Sequence, residues 1–164
     1  MVSRIDRILN DLGIELPQPA PVVANYVPTL IVGEFLFISG QLCLNANGKL
    51  SNDYTGQIEQ MVSVTAATEA ARLCGINVLA QLKSTIGDLE RVVRCVRLGG
   101  FIASPSHYTG HATVMNGASD LMVQVFGDSG RHVRSTVGVA SLPLGAVVEV
   151  EATFQIASAG GYGH

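Results

Sequence analysis

Hydrophobic residues recur along this chain with two periods, and the switch from one to the other marks its elements. Ile5, Ile8, Leu9 and Leu12 keep the spacing of one helical face, with Ser3 where a hydroxyl would cap free backbone N–H groups, so a short amphipathic helix is predicted over 3–12. Gly13 and the run Pro17-Gln18-Pro19-Ala20-Pro21 end it. Strand-like stretches follow at 22–26 and 30–39, joined around Pro28, with Gly33-Glu34 as a tight turn inside the second. Asn45-Ala46-Asn47-Gly48 is another turn. Beyond it Ile58, Met61, Val62, Thr65, Ala66, Ala70, Leu73, Ile76, Leu79 and Leu82 hold helical spacing, which predicts one long helix over 57–83. Gly75 within it costs about 1 kcal/mol relative to alanine.

After Gly87-Asp88, residues 89–102 read as a strand around Val92-Val93-Arg94-Cys95-Val96. A second helix is predicted over 113–125, with Val114, Gly117, Ala118, Leu121, Met122 and Val125 inward, and Gly127-Asp128-Ser129-Gly130 stops it. Two closing strands, 135–140 and 146–156, are linked by the turn Leu142-Pro143-Leu144-Gly145. The order β-β-α-β-α-β-β specifies an α+β domain, a mainly antiparallel sheet covered by two helices on one face. One domain over 1–157 is expected, with the first helix as an N-terminal extension and 158–164, including Gly160-Gly161-Tyr162-Gly163-His164, as a flexible tail.

Composition sharpens this picture. At 164 residues and 48% apolar content the chain can build a real core, but with only 14% charged residues and 5% aromatics it leaves too much apolar surface for a monomer. The uncovered sheet face therefore calls for another copy of the chain. The net charge is −3 and, apart from the Arg91, Arg94, Arg97 spacing, the basic residues are dispersed, which argues against a nucleic-acid partner. No run approaches transmembrane length, and charges throughout the first twelve residues argue against a secretory signal and a membrane partner. Cys43, Cys74 and Cys95 are odd in number and set among apolar neighbours, as in reduced core thiols of a cytoplasmic protein, and no zinc site is expected. His107 and His111 lie four apart, but Gly110 and the Pro105 turn oppose a shared helical face and no third ligand is evident, so no metal is expected.

Candidate chemistry concentrates in Arg134 to Glu151. Arg134 opens an otherwise apolar run, and its planar, permanently charged fork suits a carboxylate or phosphate. Alternation along Val147-Val148-Glu149-Val150-Glu151 puts Glu149 and Glu151 together on one strand face. Two readings stand at this point: an Arg-Glu salt bridge at a sheet edge or subunit interface, and a ligand site.

Three motifs in this order resemble the Rid family, the YjgF-like reactive intermediate imine deaminases, some of which carry the older label endoribonuclease L-PSP or translation inhibitor. The resemblance covers about Tyr26 to Ala157. It rests on Tyr26 followed by Gly33-Glu34-Phe35-Leu36-Phe37-Ile38-Ser39-Gly40-Gln41; on Ala112-Thr113-Val114-Met115-Asn116; and on Arg134-Ser135-Thr136-Val137 through Leu142-Pro143 to Val148-Glu149-Val150-Glu151-Ala152. Many relatives carry cysteine in place of Thr136 and an acid in place of Gly138. The first helix and extra residues around 76–85 and 104–111 are similar to a longer subgroup, and the Ser106-His107-Tyr108 insertion reads as a surface loop in preference to a segment that lines the cleft and changes its specificity.

The resemblance implies a homotrimer with its site in the cleft between subunits, and hydrolysis of enamines or imines of 2-oxo acids, such as 2-aminoacrylate, to keto acid and ammonia without cofactor. Arg134 would clamp the substrate carboxylate, and the backbone N–H groups of Gly40 and Thr136 would approach the ligand. Glu149 would hold and polarise the attacking water, while Tyr26, Ser39 and Asn116 would complete the pocket. Two other classes remain open on the sequence: a noncatalytic binder of small carboxylate metabolites with a regulatory role, and an endoribonuclease or translation inhibitor.

Overall fold

The computed structural model describes residues 2–19 and 21–158, so the tail expected to be flexible lies, from residue 159 onward, outside the described residues. Helix α1 (Arg4–Asp11) starts where the cap was expected: the Ser3 hydroxyl accepts from the Asp6 N–H at 3.0 Å. Ile5 and Leu9 are buried in the common core and Asp6 pairs with Lys83, so the extension is packed onto the domain.

Strands β1 (Thr29–Val32) and β2 (Phe35–Leu42) form a hairpin about Gly33, whose φ of 61° suits glycine. Residues 22–26, expected as a strand, join no ladder, and 24–26 form a bend. There the Tyr26 N–H donates to the Ala24 carbonyl at 2.9 Å, Val23 is 96% exposed, and Pro28 has no N–H for a ladder.

The long helix, α2 (Val64–Ile86), begins seven residues later than its periodicity suggested. Ile58 and Val62 are buried at the expected four-residue spacing, yet they pair across a tight loop in which both Met61 and Val62 N–H groups return to the Gln57 carbonyl and Glu59 has φ 66°. Ser63 is the true cap, accepting from the Ala66 N–H at 3.1 Å. A single 3-10 turn, Leu89–Arg91, precedes strand β3 (Val92–Ala103). Helix α3 (His111–Phe126), strand β4 (Val133–Val139) and strand β5 (Val148–Ile156) complete the domain.

The sheet order is β1-β2-β5-β3-β4. β5 pairs antiparallel with both β2 and β3, but β4 lies parallel to β3, so the sheet is mixed. The parallel pair follows from connectivity, because α3 returns the chain from the end of β3 to the start of β4 on the same side. Although β4 and β5 are consecutive, β3 runs between them. Helices α2 and α3 cover one face of the sheet. They meet at Gly75 and Gly117: a Cβ on Gly117 would overlap the Thr68 carbonyl oxygen, and one on Gly75 would lie 2.9 Å from Leu121 Cδ2. Close helix packing thus offsets the low helix propensity of Gly75.

The opposite face bears Leu30, Val32, Phe35, Phe37, Val133 and Val137, each between 41% and 66% exposed. These residues form one apolar strip on β1–β2 and another on β4, flanking Arg97, Glu149, Glu151 and Thr153 in the middle of the face, and this is the face the composition left without cover. No helix of the described residues is long and apolar enough to cross a membrane.

Candidate active site

The expected site residues form two groups on opposite faces of the sheet. On β5, Val148, Val150 and Ala152 are buried beneath the helices, which turns Glu149 and Glu151 to the open face. The β2–β5 register shifts between Ile38 and Gln41, leaving Ser39 and Gly40 without Cα partners on β5. Glu149 occupies the space this irregularity provides: a Cβ on Gly40 would overlap its Oε1. Glu151 lies similarly over Gly99, where a Cβ would sit 2.6 Å from its Oε1. Burial first, and the neighbouring Glu151 charge second, push the Glu149 carboxyl above the ordinary 4.5. Beside these acids, Tyr26, Ser39, Arg97, Glu151 and Thr153 line an open groove of about 640 Å³. The Ser39 hydroxyl donates to the Val27 carbonyl at 2.9 Å, which ties the Tyr26 segment to β2.

The second group sits under α3. Arg134 pairs in register with buried Leu98, and Thr136 with Gly100, where a Cβ would meet Met115 of α3. Both side chains therefore occupy the helix-covered face of edge strand β4. Arg134 donates from Nη1 to Asn116 Oδ1 at 2.9 Å and Ser119 Oγ at 3.1 Å, and from Nη2 to the Ala112 carbonyl at 3.0 Å. A guanidinium has five N–H donors. The remaining Nε–H and one Nη2–H have no partner among the described residues, which leaves two donors for the oxygens of a carboxylate. Thr136 Oγ1 is also buried without a hydrogen-bond partner among the described residues.

Arg134 makes no ion pair within the described residues, whose salt bridges involve Arg4, Lys83, His107 and Arg131. A salt bridge from Arg134 to Glu149 or Glu151 inside one chain is thereby set aside, because the sheet separates them. Asn116 is brought to Arg134, whereas Tyr26, Ser39 and Gly40 gather near the acids.

Two members of the Arg134 group escaped the sequence reading. Ser119 is Arg134's third α3 partner, and His132 Nε2 lies 2.9 Å from its hydroxyl. The signal was present: Ala112, Asn116 and Ser119 share a helical stripe, and period two from Arg134 puts His132 on the same strand face. The 104–111 loop is also more than surface. His107 faces Glu59 at 3.4 Å, while buried Tyr108 packs edge-on against His111, whose Nε2 is 3.2 Å from Ser104 Oγ. Cys43, Cys74 and Cys95 are free and buried.

The sequence matches the family described as "YjgF/chorismate mutase-like, putative endoribonuclease" over residues 6–154. It is 44% identical over 155 residues to Protein TCP17 of Trypanosoma cruzi, covering 94% of this chain and 95% of that protein. The crystal structure of Atu1372 from Agrobacterium tumefaciens, a protein described as of unknown function, superposes with a TM-score of 0.86 at 42% identity, covering 94% of each chain. A "putative endoribonuclease" from Shewanella oneidensis superposes with a TM-score of 0.89 at 34% identity, covering 94% of this chain and all (100%) of that one. The chain belongs to the YjgF/Rid family.

Proposed function

We propose that this protein hydrolyses small enamines and imines of 2-oxo acids, of the 2-aminoacrylate type, in a site completed between two copies of a homotrimer. The observation that carries the proposal is the pair of unpartnered donors on Arg134, a guanidinium held by three hydrogen bonds that makes no ion pair among the described residues. An apolar open face beside Glu149, Gly40, Ser39 and Tyr26 supports a second copy bringing those residues to Arg134.

In this reading the substrate carboxylate takes the unpartnered Arg134 donors, and the backbone N–H groups of Gly40 and Thr136 help seat it. Water attacks C2 of the iminium while the C=N π pair moves to nitrogen. Glu149 accepts the proton released by that water and returns it to the nitrogen; the C–N bond then breaks with its electrons leaving on ammonia, the hydroxyl oxygen forms the keto C=O, and the hydroxyl proton passes to Glu149 and on to solvent. An enamine first takes a proton from solvent at C3 while its nitrogen lone pair forms the C=N bond, which gives the same iminium. A carboxyl with raised proton affinity suits this exchange. No residue role here requires a cofactor, and buried free thiols fit a reducing cytoplasmic compartment.

The Arg134 geometry equally supports a noncatalytic carboxylate binder with a regulatory role. The family description supports the endoribonuclease alternative, against which stand the net charge of −3 and dispersed basic residues. Ammonia release from 2-aminoacrylate, generated in the cuvette by a pyridoxal-phosphate dehydratase, separates the three when an RNA substrate is incubated in parallel. Acceleration of ammonia release with intact RNA is expected; binding of pyruvate without acceleration, or RNA cleavage, would overturn the proposal.

A further inference from the structure

His132 is absent from the chemistry above, yet its surroundings fix the direction of every hydrogen bond it makes. Nδ1 lies 2.6 Å from the Gly130 carbonyl, which can only accept. Nδ1 therefore carries the proton, and in the neutral ring Nε2 is a bare acceptor. Nε2 is 2.9 Å from Ser119 Oγ, so the Ser119 O–H donates to it. That donation turns the serine lone pairs toward Arg134 Nη1 at 3.1 Å. One directed chain thus runs from the Gly130 carbonyl through His132 and Ser119 to the guanidinium.

We propose that His132 is a positioning residue which, through Ser119, holds the Arg134 guanidinium in the orientation that receives a carboxylate. The inference rests on the reading of Arg134 as a carboxylate clamp. Arg134 projects from an edge strand and is only half-buried, so its orientation depends on the acceptors of α3. Asn116 is itself exposed and Ala112 supplies a single carbonyl, whereas the Ser119 contact is backed by a second, main-chain anchor. Asp128 and Arg131 of the adjoining turn pair with each other at 3.3 Å, and Asp120 of α3 is exposed. Arg97 of β3 points to the open face, where it donates to Ser135. Burial first, opposed by the Gly130 carbonyl and aided by Arg134, the charge the ring faces, keeps the imidazole below its ordinary 6.5.

Protonation of His132 would reverse the chain. Nε2 would become a donor, the Ser119 proton would lose its acceptor, and two cations would face one hydroxyl. Affinity for a small carboxylate should then fall as the ring takes up a proton.

The test is titration of the assembled protein with pyruvate from about pH 8 to about pH 4, a range that runs well below the ordinary histidine value because the ring is held below it. In the wild type, affinity should decline toward the acid end. His132→Phe, similar in size but without an acceptor, should bind about tenfold more weakly at neutral pH, the scale of one hydrogen bond to a charged group, with a flat profile. His132→Gln, whose Oε1 can accept near the Nε2 position, should recover neutral-pH affinity and stay flat. Wild-type affinity in His132→Phe, or a profile unchanged by either substitution, would overturn the inference. Arg134→Lys separates it from the parent reading: undiminished pyruvate binding there sinks the clamp itself, whereas loss there without loss in His132→Phe sinks only the relay. A ligand-free readout is the NMR signal of the Arg134 side-chain N–H groups. It should exchange faster with solvent in His132→Phe and be restored in His132→Gln, and equal exchange in all three proteins would contradict the relay even if pyruvate does not bind.

Discussion

Glu149 lies so close over Gly40 that any side chain at residue 40 would collide with its carboxylate. The contact joins β5 to the irregularity in β2, so the position of the acid is set by a glycine on another strand. Gly40→Ala should therefore displace Glu149 while leaving the Arg134 group on the far face intact. Turnover is expected to fall by about 10²-fold, the usual effect of a reactive group moved by about an ångström, with the fold retained by circular dichroism.

Glu149 and Glu151 share a face but not an environment. Glu149→Gln is expected to lower ammonia release by about 10²–10⁴-fold with little change in pyruvate binding, and Glu151→Gln to have a smaller effect on rate. Equal, negligible effects in a protein that still binds the acid would favour the noncatalytic binder.

The raised proton affinity of Glu149 carries a stability consequence of definite sign. Its folded-state value exceeds 4.5, so the stability gained from protonation is fully present below that value and is lost as pH rises through the folded value. Glu149→Gln should accordingly melt at a higher temperature than the wild type at neutral pH. The two melting temperatures should converge below about pH 4. A variant less stable at neutral pH would show that the ionised carboxylate supports the fold.

Arg134→Lys keeps the charge and loses the fork. Affinity for pyruvate-like or benzoate-like acids should drop by about 10- to 100-fold in a calorimetric titration, since a charged hydrogen bond is lost with the geometry. Undiminished affinity would make Arg134 a structural residue that ties β4 to α3.

Val137 is 49% exposed on the open face, within the surface assigned to a second copy. Light scattering is expected to give a trimer for the wild type and smaller species for Val137→Asp, with loss of ammonia release. A wild-type monomer at micromolar concentration would remove the second wall of the site.

Much of this architecture could be read along the chain because local chemistry and tertiary packing agree there. The Ser3 cap, the Gly33 turn and the inward stripe of α3 are cases where one residue's preference and its neighbours' burial point the same way. The loop from Gln57 to Val62 imitates a helix because Ile58 and Val62 are both buried at helical spacing, although hydrogen bonds returning to Gln57 close a tight turn. The site was legible as residues but not as an arrangement. Alternation gives the relative faces of Arg134 and Thr136 on one strand and of Glu149 and Glu151 on another. Whether those faces coincide depends on β3 entering between β4 and β5 and on the pairing register, which no local pattern encodes. His132 and Ser119 stayed hidden because their roles depend on where α3 crosses β4.

If Arg134 of one copy and Glu149 of another make one hydrolytic site, mixing two differently impaired subunits rebuilds it. Arg134→Lys and Glu149→Gln chains, each impaired alone, are unfolded together in equal amounts, refolded and assayed for ammonia release from 2-aminoacrylate at a concentration too low to saturate the Arg134→Lys chain. Random assembly of a ring with one site per interface restores an intact Arg134 and Glu149 pair at about a quarter of the interfaces, so about that share of wild-type activity is expected. Mixed trimers no more active than either parent would contradict it.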